Sequence, residues 1–93
     1  MENFKVIIVE DVPLELKGTE GIFRNEIPEA EIIGTAESET AYWKLIKQQL
    51  PDLVLLDLGL GGSTTVGVEI CRQTKQGYPN VKVLIFTGEI QNE

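Results

Sequence analysis

Three short apolar runs constrain this chain more than any other feature: Val6-Ile7-Ile8-Val9, Leu53-Val54-Leu55-Leu56 and Val83-Leu84-Ile85-Phe86. Each is close to continuous rather than alternating, which suits a strand covered on both faces, as in a parallel sheet. A fourth run, Glu31-Ile32-Ile33-Gly34-Thr35-Ala36, is weaker and suits a strand nearer an edge. The segments between the runs carry helical signals. The order is therefore β-α-β-α-β-α-β, the mark of an α/β fold with right-handed crossovers and helices on both faces of the sheet.

The helices can be placed roughly. Pro13 suits a first helical turn, and Leu16, Thr19 and Phe23 then share one face, with Gly18 and Gly21 each costing about 1 kcal/mol relative to Ala. Ser38 suits the N-cap of a helix from about Glu39 to Gln49 that turns Ala41, Leu45 and Ile46 inward, and Pro51 ends it. A third helix is expected from about Val68 to Gln76, carrying Ile70 and Cys71 and stopped by Gly77 and Pro79. The glycine-rich stretch from Gly59 to Gly67 reads as a loop inside a single domain, 1–93, since no linker, repeat or low-complexity tract interrupts the pattern.

Charge narrows the function classes. The 93 residues carry 8 Lys and Arg against 15 Asp and Glu, a net charge of −7, so the chain lacks the basic footprint of a nucleic-acid binder and is repelled by anionic membranes. No apolar run approaches the ~20 residues of a membrane helix. Cys71 is the single cysteine, which excludes an internal disulfide and a cysteine zinc cluster and fits a reducing cytoplasm.

In a sheet of this kind the ligand site lies beyond the carboxyl ends of the strands. The first run is followed by Glu10-Asp11, the second by Asp57 and the third by Thr87. Three strands thus end in oxygen-bearing side chains at one edge. Clustered carboxylates form the hard oxygen set that Mg2+ prefers, and without a cation they would repel one another. A carboxylate at such a tip can act as a nucleophile toward a phosphoryl group and form an acyl phosphate, with Thr87 Oγ one strand away as a donor to the transferred oxygens.

The three stretches Lys5-Val6-Ile7-Ile8-Val9-Glu10-Asp11, Leu53-Val54-Leu55-Leu56-Asp57-Leu58 and Val83-Leu84-Ile85-Phe86-Thr87-Gly88 resemble, in order and spacing, the receiver domain of two-component response regulators. The resemblance covers the whole chain. It implies a flavodoxin-like (CheY-like) parallel sheet and phosphorylation by a histidine kinase or phosphotransfer protein. Asp57 would then be the phosphoacceptor, with Glu10 and Asp11 as the metal-binding pair. Gly59 would lend its backbone carbonyl to Mg2+, Thr87 would be the switch hydroxyl, and Gly88 would leave the phosphoryl pocket open. The output implied is regulation, with transcription as the readout through a DNA-binding effector domain beyond residue 93.

The sequence departs from that family in two places. Where many members carry proline four residues after the aspartate, this chain has Gly61, in a loop that reads a residue or two longer. The family's lysine at the end of a fifth strand has no counterpart, because six residues follow Thr87. Lys82 cannot replace it, lying about 16 Å from Thr87 at the other end of the strand. The chain is therefore expected to be a truncated receiver without its fourth helix, fifth strand and fifth helix. Its exposed strand edge predicts a homodimer or strand-exchanged oligomer.

Other readings carry less. A phosphatase of the haloacid-dehalogenase kind needs a second acid two residues after the nucleophile, and Gly59 stands there. The alternative to a phosphorylated switch is a non-switching interaction module on the same fold. Glu10-Asp11 alone would also serve as a helix-start signal. The stretch Gly59 to Thr64 lacks the last glycine of a dinucleotide fingerprint. Tyr42 and Trp43 read as packing or ordinary surface, and Glu37 with Glu39 as a solvated face.

Overall fold

A computed structural model of the chain describes residues 3–62 and 64–86. Four strands, β1 (Phe4–Val9), β2 (Ala30–Ala36), β3 (Leu53–Asp57) and β4 (Lys82–Phe86), alternate with three helices, α1 (Pro13–Glu26), α2 (Glu39–Gln48) and α3 (Thr64–Gly77). The strands form one sheet in the order β2-β1-β3-β4, with every pairing parallel.

Two-sided burial explains the continuous apolar runs. Side chains alternate across a strand, so Ile7 and Val9 face one side of the sheet and Val6 and Ile8 the other. Ile7, Val9, Val54 and Leu56 pack in one core with Tyr42 and Ile46 of α2 and Ile70 of α3. Val6, Ile8 and Leu55 pack in a second core against Leu16 and Phe23 of α1. The expected flavodoxin-like sheet with helices on both faces is the one found.

Local chemistry matches most of the helix boundaries. Ser38 caps α2, its Oγ accepting the Ala41 N–H at 3.2 Å, and Pro13 sits in the first turn of α1. On α2 the buried residues are Tyr42 and Ile46, while Ala41 and Leu45 are half-buried. Tyr42 was expected only as packing or surface. It is fully buried because its hydroxyl pairs with Thr74 Oγ1 of α3 at 2.7 Å, so the aromatic ring enters the core without an unsatisfied polar group. Trp43 is half-buried, its indole N–H donating to Glu39 Oε2 at 3.2 Å, so Glu39 is not simply a solvated charge.

Two expectations are corrected. The third helix starts at Thr64 rather than near Val68, which shortens the loop after Asp57 and places Gly67 inside α3. Gly67 is there for a steric reason: a β-carbon on it would lie 2.9 Å from the Leu58 carbonyl oxygen and 3.2 Å from Leu58 Cα. Its absence lets α3 lie directly on the backbone that follows Asp57. Secondly, β4 is not covered on both faces as its continuous apolar run suggests, which accords with the exposed strand edge expected for it. Leu84 and Ile85 are 55% and 41% exposed, and adjacent strand residues face opposite sides, so this edge strand is open on both faces among the described residues.

The two kinds of glycine in these helices should respond oppositely to alanine. Gly67→Ala is expected to lower stability by about 1–3 kcal/mol, because the Leu58 backbone cannot yield as a side chain would. Gly18→Ala on α1, where an added β-carbon meets nothing within 4 Å, should raise stability by up to about 1 kcal/mol. Urea denaturation midpoints of the two variants, read against the wild type, check both signs.

Candidate functional site: a carboxylate cluster at the carboxyl edge of the sheet

The registers bring the site together. Val9 pairs with Leu56 at the last step between β1 and β3, so Glu10 and Asp57 follow at the same level of the sheet. The Glu10 N–H donates to the Ala36 carbonyl at 2.9 Å, extending the β1–β2 pairing one residue and anchoring Glu10 beyond the strand. On the other side, the Leu58 N–H donates to the Phe86 carbonyl at 2.7 Å and carries the β3–β4 ladder past Asp57.

Glu10, Asp11 and Asp57 each offer an oxygen within 4.8 Å of the other two. Glu10 is fully buried, Asp57 is 5% exposed, and Asp11 lies half-buried at the rim. Backbone amides hold one oxygen of each carboxylate. Val12 N–H donates to Glu10 Oε2 at 3.0 Å, Gly59 N–H to Asp57 Oδ1 at 3.0 Å and Gly61 N–H to Asp11 Oδ2 at 3.0 Å. The acidic pair is not a helix cap, since the N-cap residue of α1 is Val12 and no side chain caps that end.

The donor set fits a hard divalent cation. Glu10 Oε1 is buried and has no hydrogen-bond partner among the described residues, a costly state for a carboxylate oxygen. An ion with oxygen ligands at about 2.0–2.1 Å would satisfy it and offset the repulsion among three close acids. Burial pushes the Glu10 carboxyl up to about 7, against the pull of the Val12 amide and with added repulsion from Asp57 and Glu15. A carboxyl that ordinarily ionises near 4.5 is thus held toward its protonated form by the folded protein.

The remaining expected site residues divide in two. The Gly59 carbonyl accepts the Gly62 N–H at 2.9 Å within a short 3-10 turn, Leu60–Gly62, and keeps a second lone pair. Thr87 and Gly88 lie outside the described residues. Lys82 pairs with Leu53 while Phe86 pairs with Asp57, so Lys82 stands at the opposite end of β4, about 13 Å along the strand. Sequence reasoning missed the amides of Gly59 and Gly61 as carboxylate donors. Two adjacent glycines, Gly61 and Gly62, with φ of 72° and 77°, were the available signal for such a turn.

The raised Glu10 carboxyl predicts an inverted pH dependence. Its contribution favours the fold fully below about pH 4.5 and fades as pH rises through about 7, because the folded state must then carry the charge that burial resists. Between pH 4.5 and 8 the metal-free chain should lose about 3 kcal/mol through this group. Glu10→Gln should flatten that part of the profile. Chemical denaturation in EDTA across this pH range measures it.

The comparisons with known proteins agree with this geometry. Residues 6–93 match the family profile described as the response regulator receiver domain. The methanol utilization control regulatory protein MoxX of Paracoccus denitrificans is 29% identical over 83 residues, covering 89% of this chain and 36% of MoxX. The transcriptional regulatory protein DegU of Brevibacillus brevis is 31% identical over 85 residues, covering 91% of this chain and 35% of DegU. The chain thus spans about a third of the length of these relatives. Among solved structures, the RcsB response regulator of Salmonella typhimurium, described for its conformational dynamism in DNA interaction, superposes with a TM-score of 0.83 at 23% identity, over 96% of this chain and 44% of that one. At that identity the likeness speaks for the fold. With the profile spanning the sheet and all three of its acids, this chain belongs to the response regulator receiver domain family.

Proposed function

We propose that the chain is a phosphorylation-controlled signalling switch, taking a phosphoryl group on Asp57 from a histidine kinase or phosphotransfer protein in a Mg2+-dependent reaction. The carboxylate cluster carries this reading: three acids from two strand ends, one with a buried orphan oxygen, converge around the aspartate. An Asp57 carboxylate oxygen attacks the phosphorus of a phosphohistidine. The new O–P bond forms as the P–N bond breaks, and the imidazole nitrogen departs with the bonding pair. The Gly59 amide holds Asp57 Oδ1, which orients the carboxylate and leaves its other oxygen to react. Glu10, Asp11, Asp57 and the Gly59 carbonyl would hold Mg2+, which when bound supplies counter-charge for the cluster and the phosphoryl oxygens. Thr87 is assigned the switch hydroxyl on the strength of the family pattern. The same pattern assigns Gly88, its neighbour, the part of keeping the phosphoryl pocket open.

The role is regulatory rather than turnover of free substrates. The output assigned to the whole protein is transcription, as the name of the relative DegU suggests, through an effector domain outside these residues. The acidic chain itself makes no nucleic-acid contact in this reading, and no helix among the described residues is long and apolar enough to cross a membrane. We place the protein in the cytoplasm, where its kinase would present the phosphohistidine.

Incubation with Mg2+ and a small phosphodonor, followed by intact-mass measurement, tests the assignment. One phosphoryl adduct is expected on the wild-type chain, lost in Asp57→Ala and in EDTA. No adduct on the wild type, or one that survives Asp57→Ala, would overturn it. A second measurement addresses assembly. The open β4 edge, with Leu84 and Ile85 exposed on opposite faces, supports self-association as a dimer or strand-exchanged oligomer. Light scattering should give a mass above the monomer at high concentration, and a clean monomer there rejects it.

A further inference from the structure

Gly61 occupies an unusual place relative to the acidic cluster. It comes from the turn after β3, fifty residues along the chain from Asp11, yet its N–H donates to Asp11 Oδ2 at 3.0 Å. Its φ is 72°, a left-handed conformation that glycine adopts without strain, that asparagine tolerates and that most side chains resist. Proline is incompatible twice over, having no N–H and a φ fixed near −65°. Open space explains nothing about the choice: a β-carbon here would meet only Val66 Cγ2, at 3.9 Å. Backbone geometry and the donated hydrogen are what glycine provides.

The effect on Asp11 follows. Asp11 is the least buried of the three acids, and no strand pairing fixes it as Ala36 fixes Glu10. With Oδ2 occupied by the Gly61 amide, the carboxylate plane is oriented and one oxygen remains to face the cluster. The same turn does this for Asp57 through Gly59. Donors that hold a metal-ligating carboxylate in place contribute to affinity because the ligand need not be ordered on binding.

We infer that Gly61 is a positioning residue for the divalent-cation site: its left-handed backbone aims an amide that pre-orients Asp11. The inference rests on the Mg2+-dependent reading above. It also assigns the 3-10 turn a task, since Leu60, buried at 1% exposure, fixes the turn in the core while Gly61 presents its amide at the rim.

Mg2+ titration of the 93-residue chain, followed by amide resonances in a 15N-labelled sample, provides the test. Gly61→Asn, which keeps the N–H and tolerates the conformation, should bind Mg2+ within about twofold of wild type. Gly61→Ala should fall between, and Gly61→Pro should weaken Mg2+ about tenfold, the low end for loss of such a support. In an Asp11→Ala background the same Gly61→Pro change should alter affinity by less than twofold, a coupling that a general loosening of the turn would not produce. A direct readout needs no metal. The Gly61 amide proton should be protected from hydrogen exchange in the metal-free chain, and that protection should fall in Asp11→Ala. If the wild type binds no Mg2+, the metal reading falls and this inference with it. If the wild type binds and Gly61→Pro or Gly61→Ala binds equally well, or the Gly61 amide ignores Asp11, the inference alone is overturned. Should Gly61→Pro fail to fold, the Asn and Ala variants and the exchange of the Gly61 amide still decide.

Discussion

The central strand β1 has no side that meets water: Val6 and Ile8 fill one core, Ile7 and Val9 the other, and all four are fully buried. Burying four such side chains contributes about 1.5–3 kcal/mol each, enough to make this strand the axis around which the helices must be placed. Covering both faces of a parallel strand requires crossovers long enough to hold a helix. Those crossovers send every strand in the same direction, so all the carboxyl ends collect at one edge. Glu10, Asp11 and Asp57 meet because β1 and β3 are buried side by side, not because the acids attract one another.

That convergence works against the fold. Glu10 is sealed among apolar neighbours close to a second carboxylate, and its carboxyl is pushed up to about 7 as a result. Amides from Val12, Gly59 and Gly61 compensate in part, each bound to one oxygen of one acid. Gly67 then matters at a distance. By letting α3 touch the Leu58 backbone, it sets the position of the turn that supplies two of those three amides.

Much of this was legible in the residues. The apolar runs of β1 and β3, the weaker edge strand β2, the Ser38 cap and the acids at the strand ends all follow from period, propensity and capping chemistry. What escaped was set by contacts between distant segments. The start of α3 at Thr64 depends on packing against Leu58, which no local signal at Gly67 announces. Tyr42 reads as packing or surface, and what decides for packing is a hydroxyl partner, Thr74, thirty-two residues away. The exposure of Leu84 and Ile85 follows from the outer position of β4; an exposed edge was expected there, but the apolar run by itself looks the same as those of the covered strands.

The Tyr42–Thr74 pair has a counterpart in what Glu10 lacks. In the helical layer, two buried hydroxyls satisfy each other, and no described side-chain atom there is buried without a partner. At the carboxyl edge, Glu10 Oε1 is the one buried side-chain polar atom left without a partner among the described residues. Among the described residues, the buried polar conflict thus lies at the place where chemistry is expected. A ligand that resolves this conflict acts on folding and on reactivity through the same atom. Stability and responsiveness in this domain are therefore drawn from a common source.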